Sequence, residues 1–283
     1  MSAHLLDLLY PPACLLCHAR LVPAHRSQSA PHDRLTAPQQ GQSGHNRANE
    51  KTLVTPATKE RRVSIRSSPL FCADCLKLMP RMHAPVCVRC GITIPGAFDA
   101  HALCRICRQH PLAFDLARSP WQYEGSVQVA IRQFKYRQRW RIGRKLADDM
   151  ATVARAHLPL QDIAVILPVP LHRLKRWLKG CNPAESLARD VARSLGKPCS
   201  TRIISRTRWT TTQTRLGWSR RFRNVRQAFA VRSRAIQGSD VLLVDDVLTS
   251  GATADACARA LKDAGARWVF VLTAARTPLG RSE

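Results

Sequence analysis

The sequence has few acidic and few aromatic side chains. Its 283 residues include 19 Asp and Glu against 45 Lys and Arg, and aromatic residues make up 6% of the chain. The resulting net charge of +26 favours anionic partners, either nucleic acids or phosphorylated metabolites. Since most of the basic residues are arginine, an arginine-rich genome is an alternative explanation of the same excess.

Long apolar segments are also missing. No uninterrupted apolar run approaches the roughly 20 residues that a membrane-spanning helix needs. The N-terminal segment lacks the basic stretch that begins a secretory signal. We therefore expect a cytoplasmic protein without a membrane span. The Gly-x-x-x-x-Gly-Lys-Ser/Thr pattern is absent too, which argues against a nucleotide-binding P-loop.

Cysteine, in contrast, is frequent and regularly spaced. Of the 11 cysteines, eight form Cys-x-x-Cys pairs, which are Cys14 and Cys17, Cys72 and Cys75, Cys87 and Cys90, and Cys104 and Cys107. In a reducing compartment such pairs indicate metal binding rather than disulfides. Because two pairs complete the four-sulfur shell of a closed zinc site, we predict two structural zinc ions in a module over residues 1–111.

The pairing of these four cysteine pairs is not determined by their spacing. Chain order is the simplest arrangement, with the first two pairs on one ion and the last two on the other. A crossed arrangement stays open, as does replacement of a sulfur by His18, His83, His101 or His110. Cys181, Cys199 and Cys257 stand apart from the pairs, and we interpret them as small apolar residues.

Residues 26–69 separate the first two cysteine pairs and differ from the rest of the chain. They contain no Phe, Trp or Tyr and many Gln, Ser, Pro, Arg and His residues. A segment with so little to bury is expected to be disordered. We favour a tolerated surface insertion protruding from the first zinc site, and contact with nucleic acid through its positive charge is the alternative.

Residues 241–253 combine an apolar run, two acids and a hydroxyl-rich turn. Residues 241–244 are all Val or Leu, typical of a parallel strand covered on both faces. Residues 254–264 have the pattern of a following helix that ends at Gly265. The strand would present Asp245 and Asp246 to the hydroxyls of a ribose. The N–H groups and hydroxyls of residues 249–253, at the helix N-terminus, would surround a phosphate.

This segment resembles the 5-phosphoribosyl-1-pyrophosphate (PRPP) motif of type I phosphoribosyltransferases. In that motif the acidic pair contacts the ribose and the loop holds the 5-phosphate, whereas two acids by themselves would also suit a capped turn before a helix. The resemblance implies that Asp245 and Asp246 are the catalytic residues. It also implies a set of PRPP-binding residues, namely Asp245, Asp246, Val247, Leu248, Thr249, Ser250, Gly251, Ala252 and Thr253.

Residues 112–283 alternate between strand and helix patterns. Strands are predicted within 113–123, over 162–169, near 201–205, over 241–244 and over 268–273. Helices are predicted over 126–135, from there to about 157, and over 183–195, where Pro183 and Gly196 mark the two ends. We therefore predict an α/β fold of the type I phosphoribosyltransferase kind, a parallel sheet with helices on both faces, preceded by the smaller four-cysteine zinc ribbon.

Across most of its length the chain resembles the ComF proteins of bacterial competence and DNA use, which include the GntX type. Besides the cysteine pairs and the acidic loop, three blocks carry the resemblance: residues 134–136, residues 168–182 and residues 206–229. Two positions depart from the family, since Cys181 replaces an aromatic residue and Pro183 replaces Gln. The loop also reads Leu-Thr-Ser where Thr-Thr is usual, which keeps a hydroxyl.

The resemblance implies PRPP binding with Mg²⁺ and transfer of the phosphoribosyl group to a base or another nitrogen nucleophile. The alternatives are a PRPP-binding competence module that contacts single-stranded DNA or DNA-uptake proteins with little turnover, and a PRPP-sensing regulator. The type I enzymes have a pyrophosphate loop after an early strand. Its candidates here are His172, Arg173, Lys175, Arg176 and Lys179, for which a solvated basic surface is the alternative.

A long segment without acids follows this loop. Residues 191–239 contain no Asp or Glu but carry Arg interleaved with Trp and Phe. Arginine and aromatic residues together suit single-stranded nucleic acid, whereas the position of the segment in the family suggests a mobile hood over PRPP. The residues concerned are Arg206, Arg208, Trp209, Arg215, Arg220 and Arg221.

Overall fold

The computed structural model describes residues 13–21, 70–96, 101–137, 139–172, 180–208, 222–223, 225, 227–233 and 235–278. The helices are α1 (Ala73–Lys77), α2 (Arg105–Gln109), α3 (Gly125–Arg137), α4 (Trp140–His157), α5 (Pro183–Leu195) and α6 (Ala252–Asp263). The strands are β1 (Leu116–Arg118), β2 (Trp121–Gln122), β3 (Ile163–Pro168), β4 (Ile204–Arg206), β5 (Phe229–Val231), β6 (Asp240–Leu248) and β7 (Trp268–Arg276). The segment predicted to be disordered, residues 26–69, lies outside the described residues.

The main sheet is parallel throughout, in the order β1-β7-β6-β3, with β2 pairing on β7 directly after β1. The apolar run at residues 241–244 forms the centre of β6, and all four side chains are fully buried. Parallel strands bury both faces because the connecting helices cover them. The predicted central strand and the parallel sheet are therefore confirmed.

Helices cover both faces of this sheet. Leu242 and Val244 pack in one hydrophobic cluster with residues of α4 and α5. Val241 and Leu243 point the other way, into a second cluster that includes residues of α6. Alternate residues of a strand face opposite sides, so one short run of Val and Leu fills both halves of the core.

α5 has the ends predicted for it. Asn182 is the N-cap, and its side-chain oxygen accepts a hydrogen bond from the backbone N–H of Ala184 at 3.2 Å. Pro183 occupies the first turn, and Gly196 closes the helix in the left-handed conformation with φ of 66°. Pro183, which departs from the family pattern, thus has a local structural role at the helix start.

The strand predicted near residues 201–205 was wrongly assigned to the parallel sheet. β4 instead pairs antiparallel with β5 in a separate two-stranded sheet, with Ser205 opposite Ala230. A three-residue strand shows no periodicity that could identify its partner. The nearby residue Cys199 makes a parallel bridge to Ile166, so the chain touches the edge of the main sheet before it turns away.

The four cysteine pairs precede the sheet in the chain but share its core. Cys14 and Phe71 belong to the same buried cluster as α3 and α4, and Cys87 belongs to the cluster of α6. Cys72 and Cys104 are the N-caps of the two short helices α1 and α2. A division of the chain at residue 111 stays a prediction.

Across the part of the chain that the structure describes, no helix combines the length and the apolar character needed to span a bilayer.

Candidate active site and four-cysteine centres

The acidic pair lies within the carboxyl-terminal part of β6. Asp245 and Asp246 belong to the strand itself, which runs on to Leu248, four residues beyond the predicted end. The backbone N–H of Asp246 donates to Oδ1 of Asp245 at 2.8 Å. Both carboxyl groups are partly buried, at the edge of the sheet where α/β proteins bind their ligands.

A half-buried lysine contacts the second acid. Nζ of Lys135, from α3, lies 2.7 Å from Oδ1 of Asp246, and the side chains are 24% and 15% exposed. Burial by itself would favour the neutral amine, but the carboxylate of Asp246 outweighs it and raises the pKa of Lys135. Lys135 is therefore charged in the folded protein and contacts Asp246 before a ligand binds.

The sequence analysis assigned no role to Lys135. A usable signal exists, because Lys135 follows the buried Ile131 by four residues and Phe134 by one. Residues four apart lie on the same face of a helix. A lysine on the buried face of a helix requires an acidic partner, and Asp245 and Asp246 were the obvious candidates.

The two carboxyl groups of the pair differ in their electrostatics. The pKa of Asp245 is raised from 3.8 to about 7. Burial is the main cause and the charge of Asp246 adds to it, while the positive charges of Lys135 and Arg206 act in the opposite direction. Asp245 consequently changes charge near neutral pH, where a cation or a hydrogen-bond donor can shift it to the ionised form.

Arg206 belongs electrostatically to this site. It is the last residue of β4, and its guanidinium lies over the ring of Phe229 on β5, with 5.4 Å from Cζ to the ring centroid. Burial lowers the pKa of Arg206, and the charge of Asp245 partly offsets that effect. Arg206 was expected in the DNA-contact or hood segment, so the structure relates the start of that segment to the acidic pair. Arg208 is exposed nearby.

The hydroxyl-rich turn follows β6 and leads directly into α6. Gly251 is the N-cap of α6 with φ of 86°, a left-handed conformation that favours glycine. Ser250 is buried, and its Oγ accepts a hydrogen bond from the N–H of Ala252 at 3.3 Å. Thr249 is exposed and Thr253 half-buried. α6 begins at Ala252, two residues before the predicted start.

The candidate pyrophosphate loop begins beside the acidic pair. β3 is the neighbour of β6, and the N–H of Val169 donates to the carbonyl of Val244 at 2.9 Å. Asn182 closes the loop by donating from Nδ2 to the carbonyl of Val169 at 3.1 Å. His172 is half-buried in this loop. Other candidate residues lie outside the described part of the chain: Arg173, Lys175, Arg176, Lys179, Trp209, Arg215, Arg220 and Arg221.

The cysteine pairs come together in chain order. One group is Cys14, Cys17, Cys72 and Cys75, the other is Cys87, Cys90, Cys104 and Cys107, and within each group the sulfur atoms all lie within 4.8 Å of one another. This confirms the simplest pairing. Among the described residues neither group includes a histidine, so the alternatives with His18, His83, His101 and His110 are wrong for this structure.

The sulfur geometry of both groups fits a tetrahedral metal. Sγ of Cys17 lies 3.6 Å from Sγ of Cys72, and Sγ of Cys90 lies 3.7 Å from Sγ of Cys104. Four sulfurs about 2.3 Å from a zinc ion are separated by roughly 3.8 Å. In the second group the shared hydrogen bonds lower the pKa of Cys87 and Cys90 and raise the pKa of Cys104 and Cys107.

The two groups differ in exposure. In the first group, which we call centre 1, Cys17 is exposed and Cys72 is half-buried. In the second group, centre 2, all four cysteines are buried. Each group supplies four cysteine sulfurs, which is the full ligand set of a structural zinc site, so both arrangements suit a structural ion.

Comparison with known proteins gives relatives over most of the chain. The chain is 31% identical over 210 residues to the DNA utilization protein YhgH of Salmonella typhimurium, covering 73% of this chain and 90% of the relative. It is 28% identical over 211 residues to competence protein F of Haemophilus influenzae, with the same coverage. It is 24% identical over 200 residues to competence protein ComFC of Bacillus subtilis, covering 69% and 78%. No family model matches the chain.

Solved structures with partial likeness include an allosteric regulatory enzyme of purine biosynthesis and the hypoxanthine-guanine phosphoribosyl transferase of L. donovani. The first has a TM-score of 0.32 at 22% identity, over 47% of this chain and 25% of that chain. The second has a TM-score of 0.29 at 18% identity, over 49% and 71%.

Proposed function

Because the chain belongs to the ComF family, that of the DNA utilization protein YhgH and competence proteins F and ComFC, we propose that it binds PRPP and transfers the phosphoribosyl group to a nitrogen nucleophile. One observation carries the proposal. The Lys135–Asp246 ion pair, the titratable carboxyl of Asp245 and the turn that begins α6 meet at one edge of a parallel sheet. A ribose 5-phosphate requires this combination of acceptors and N–H donors.

Each part of the site has a separate task in this proposal. Asp245 and Asp246 accept hydrogen bonds from the ribose hydroxyls. The N–H groups of residues 249–251 and 253 bind the 5-phosphate, which the positive end of the α6 dipole also favours. Lys135 holds Asp246 in place through their ion pair, so that the site needs little rearrangement when the ligand binds.

The chemistry asks for positioning and charge stabilisation. The bond from C1 of the ribose to the pyrophosphate oxygen breaks, pyrophosphate leaves with the bonding electrons, and the nucleophile forms a bond to C1 and loses a proton. Positive charge develops at C1, and the ionised acids of β6 stabilise it through the ribose hydroxyls. Basic residues after β3, among them His172, are the proposed contacts for the pyrophosphate.

Metal ions complete the proposal. Two adjacent carboxyl groups are hard oxygen donors of the kind that Mg²⁺ prefers, and Asp245 and Asp246 would hold it directly or through water. Mg²⁺, when bound, neutralises the charge of the pyrophosphate. Zinc is the proposed occupant of the two four-cysteine centres, because four thiolates at this spacing match its preferred shell.

Calorimetric titration of PRPP, with and without Mg²⁺, tests the proposal. We expect Mg²⁺-dependent binding to the parent and its loss in the double variant Asp245→Asn with Asp246→Asn. The matched control is Asp162→Asn with Asp263→Asn, which removes the same charge at exposed positions away from this edge of the sheet, and it should bind as the parent does. A folded parent that does not bind PRPP would overturn the proposal.

A second candidate is a PRPP-binding module that contacts single-stranded DNA with little or no turnover. The observation that favours it is the acid-free segment of residues 191–239, together with the DNA utilization and competence names of the relatives. A screen of purine and pyrimidine bases as acceptors separates the candidates. Release of pyrophosphate with one of them supports transfer, whereas PRPP and DNA binding without release supports the module or a PRPP-sensing regulator.

A further inference from the structure

A buried arginine connects centre 2 to the turn before α6. Arg276 is the last residue of β7, lies opposite Leu248 of β6 and is 4% exposed. Its Nη1 donates to the carbonyl of Leu248 at 2.8 Å and also to the carbonyl of Thr249. The other side of the same guanidinium faces Cys90, with Nε donating to the Cys90 carbonyl at 3.3 Å and Nη2 lying 3.8 Å from its Sγ.

One guanidinium, that of Arg276, therefore contacts both Cys90 of centre 2 and the carbonyls before α6. A guanidinium is planar and presents its donors in a fixed fork. If Cys90 moves, the donors that hold the Leu248 and Thr249 carbonyls move with it. Those two carbonyls define where the chain leaves β6 and hence where the N–H groups of the following turn point.

Charge compensation strengthens the connection. Four thiolates on a Zn²⁺ ion carry a net charge of −2, and all four sulfurs of centre 2 are buried. A buried charge requires compensation. Arg276 supplies one positive charge, and Arg118 supplies another, because its Nη1 donates to the carbonyl of Val88 at 3.1 Å within the same cysteine module. Arg118 has no recorded contact with residues 248–253 in the described structure, so it offers a control for charge without the connection.

A second set of contacts supports the same turn from the chain that leaves centre 2. The N–H of Ala113 donates to Oδ1 of Asp255, in the first turn of α6, at 2.7 Å. The side chains of Leu112 and Phe114 pack beside Gly251, where an added Cβ would lie 3.6 Å from the Phe114 ring. The chain that leaves centre 2 therefore packs against the turn and the first residues of α6.

Centre 1 attaches elsewhere. Nη1 of Arg139 donates to the carbonyl of Leu15 at 2.8 Å, and Nε2 of Gln133 donates to the carbonyl of Leu16 at 3.5 Å. These contacts join the first cysteine pair to α3 and to the start of α4, and not to the turn before α6. The two centres thus differ in what a bound metal would hold in place.

We propose that centre 2 and the PRPP site are energetically coupled through Arg276, which acts as a positioning residue for the phosphate-binding turn. This inference rests on the proposed function. Coupling between two binding sites is reciprocal, so PRPP should raise the zinc affinity of centre 2 by the factor by which zinc raises PRPP affinity. Centre 1 contacts α3, which carries Lys135, and not the phosphate-binding turn, so its dependence on PRPP should be weaker.

The test measures zinc affinity by competition with a pyridine-based chelator that does not bind Mg²⁺, with and without saturating PRPP and Mg²⁺. The variant Cys14→Ser with Cys17→Ser leaves centre 2 intact and assigns its signal. We expect PRPP to raise the affinity of centre 2 about fivefold or more, at the low end of typical site coupling. The variant Asp245→Asn with Asp246→Asn controls for any binding of zinc by free PRPP and should show no change.

Two arginine variants then locate the connection. Arg276→Met should lower the zinc affinity and remove its dependence on PRPP, whereas Arg118→Met should lower the affinity and keep the dependence. PRPP binding to the parent without any change in the zinc affinity of centre 2 would overturn the coupling and leave the proposed function standing. Failure of the parent to bind PRPP would overturn both. The parent measurement is decisive even if a variant does not fold.

Discussion

At the scale of single residues, burial and neighbouring charges together set the pKa values of Lys135 and Asp245. Lys135 and Asp246 stabilise each other as ions, while Asp245 sits beside Asp246 with a pKa of about 7. Two adjacent carboxyl groups seldom ionise together in a partly buried place unless a cation is present. A metal-bound ligand would supply a cation that favours the ionised form of both carboxyl groups.

The raised pKa of Asp245 predicts a pH dependence of stability. Its pKa rises from 3.8 to about 7 on folding, so the folded state retains the proton longer, and ionisation lowers the free energy of unfolding as pH rises from about 4 to about 7. Asp245→Asn should remove this loss. Between pH 4 and pH 8 we expect the free energy of unfolding of the variant to rise by roughly 2 kcal/mol relative to that of the parent. This is about half of the free energy that corresponds to the full pKa shift, because the group is partly exposed.

Urea unfolding of both proteins across this pH range measures the effect. Asp162→Asn, which changes an exposed acid, should follow the parent at every pH. Parallel curves for the parent and Asp245→Asn would contradict the raised pKa of Asp245.

At the scale of elements, the junctions decide the geometry of the site. β6 extends to Leu248 because β7 continues beside it as far as Arg276 and supplies the hydrogen-bond partners. β4 pairs with β5 and not with the main sheet, and Arg206, within the acid-free segment of residues 191–239, interacts electrostatically with Asp245. Residues 209–221, the centre of that segment, lie outside the described residues.

The acid-free segment predicts salt-dependent binding of single-stranded DNA. Replacing Arg220 and Arg221 by Ala should weaken binding and reduce the slope of log affinity against log salt by about 1.4, if each contacts one phosphate. Fluorescence anisotropy with a labelled oligonucleotide at several salt concentrations measures both quantities. The control removes two arginines that are paired with acids elsewhere, Arg189 and Arg267, and should keep the slope. A slope near zero for the parent would exclude electrostatic DNA binding.

At the scale of the whole molecule, the four cysteine pairs and the sheet form one packed structure. Centre 1 shares a buried cluster with α3 and α4, and centre 2 shares the other cluster with α6. A metal in either centre would therefore stabilise a half of the core on one face of the sheet.

Metal analysis of the purified protein should give about two zinc ions per chain. Cys87→Ser with Cys90→Ser should lower the content to about one and reduce thermal stability, because it removes two of the four ligands of a buried centre. Cys181→Ser changes a cysteine outside both centres and should keep the content of the parent. A folded parent without metal would rule out the zinc assignment.

Much of this protein could be predicted from local sequence patterns. The buried strand at residues 241–244, the ends of α5 and the two four-cysteine groups depend on near neighbours in the chain, such as an apolar run, a cap or a Cys-x-x-Cys turn. Side-chain periodicity and backbone sterics act over a few residues, so these features are visible in the sequence.

The tertiary structure decided which distant residues meet. The contact of Lys135 with Asp246, the reach of Arg276 from Cys90 to Leu248 and the pairing of β4 with β5 all join segments far apart in the chain. Such contacts depend on how helices pack on the sheet and on which charged side chains become buried next to each other. The sequence determined the class of fold and the acids at the site, and packing determined the cations and supports around them.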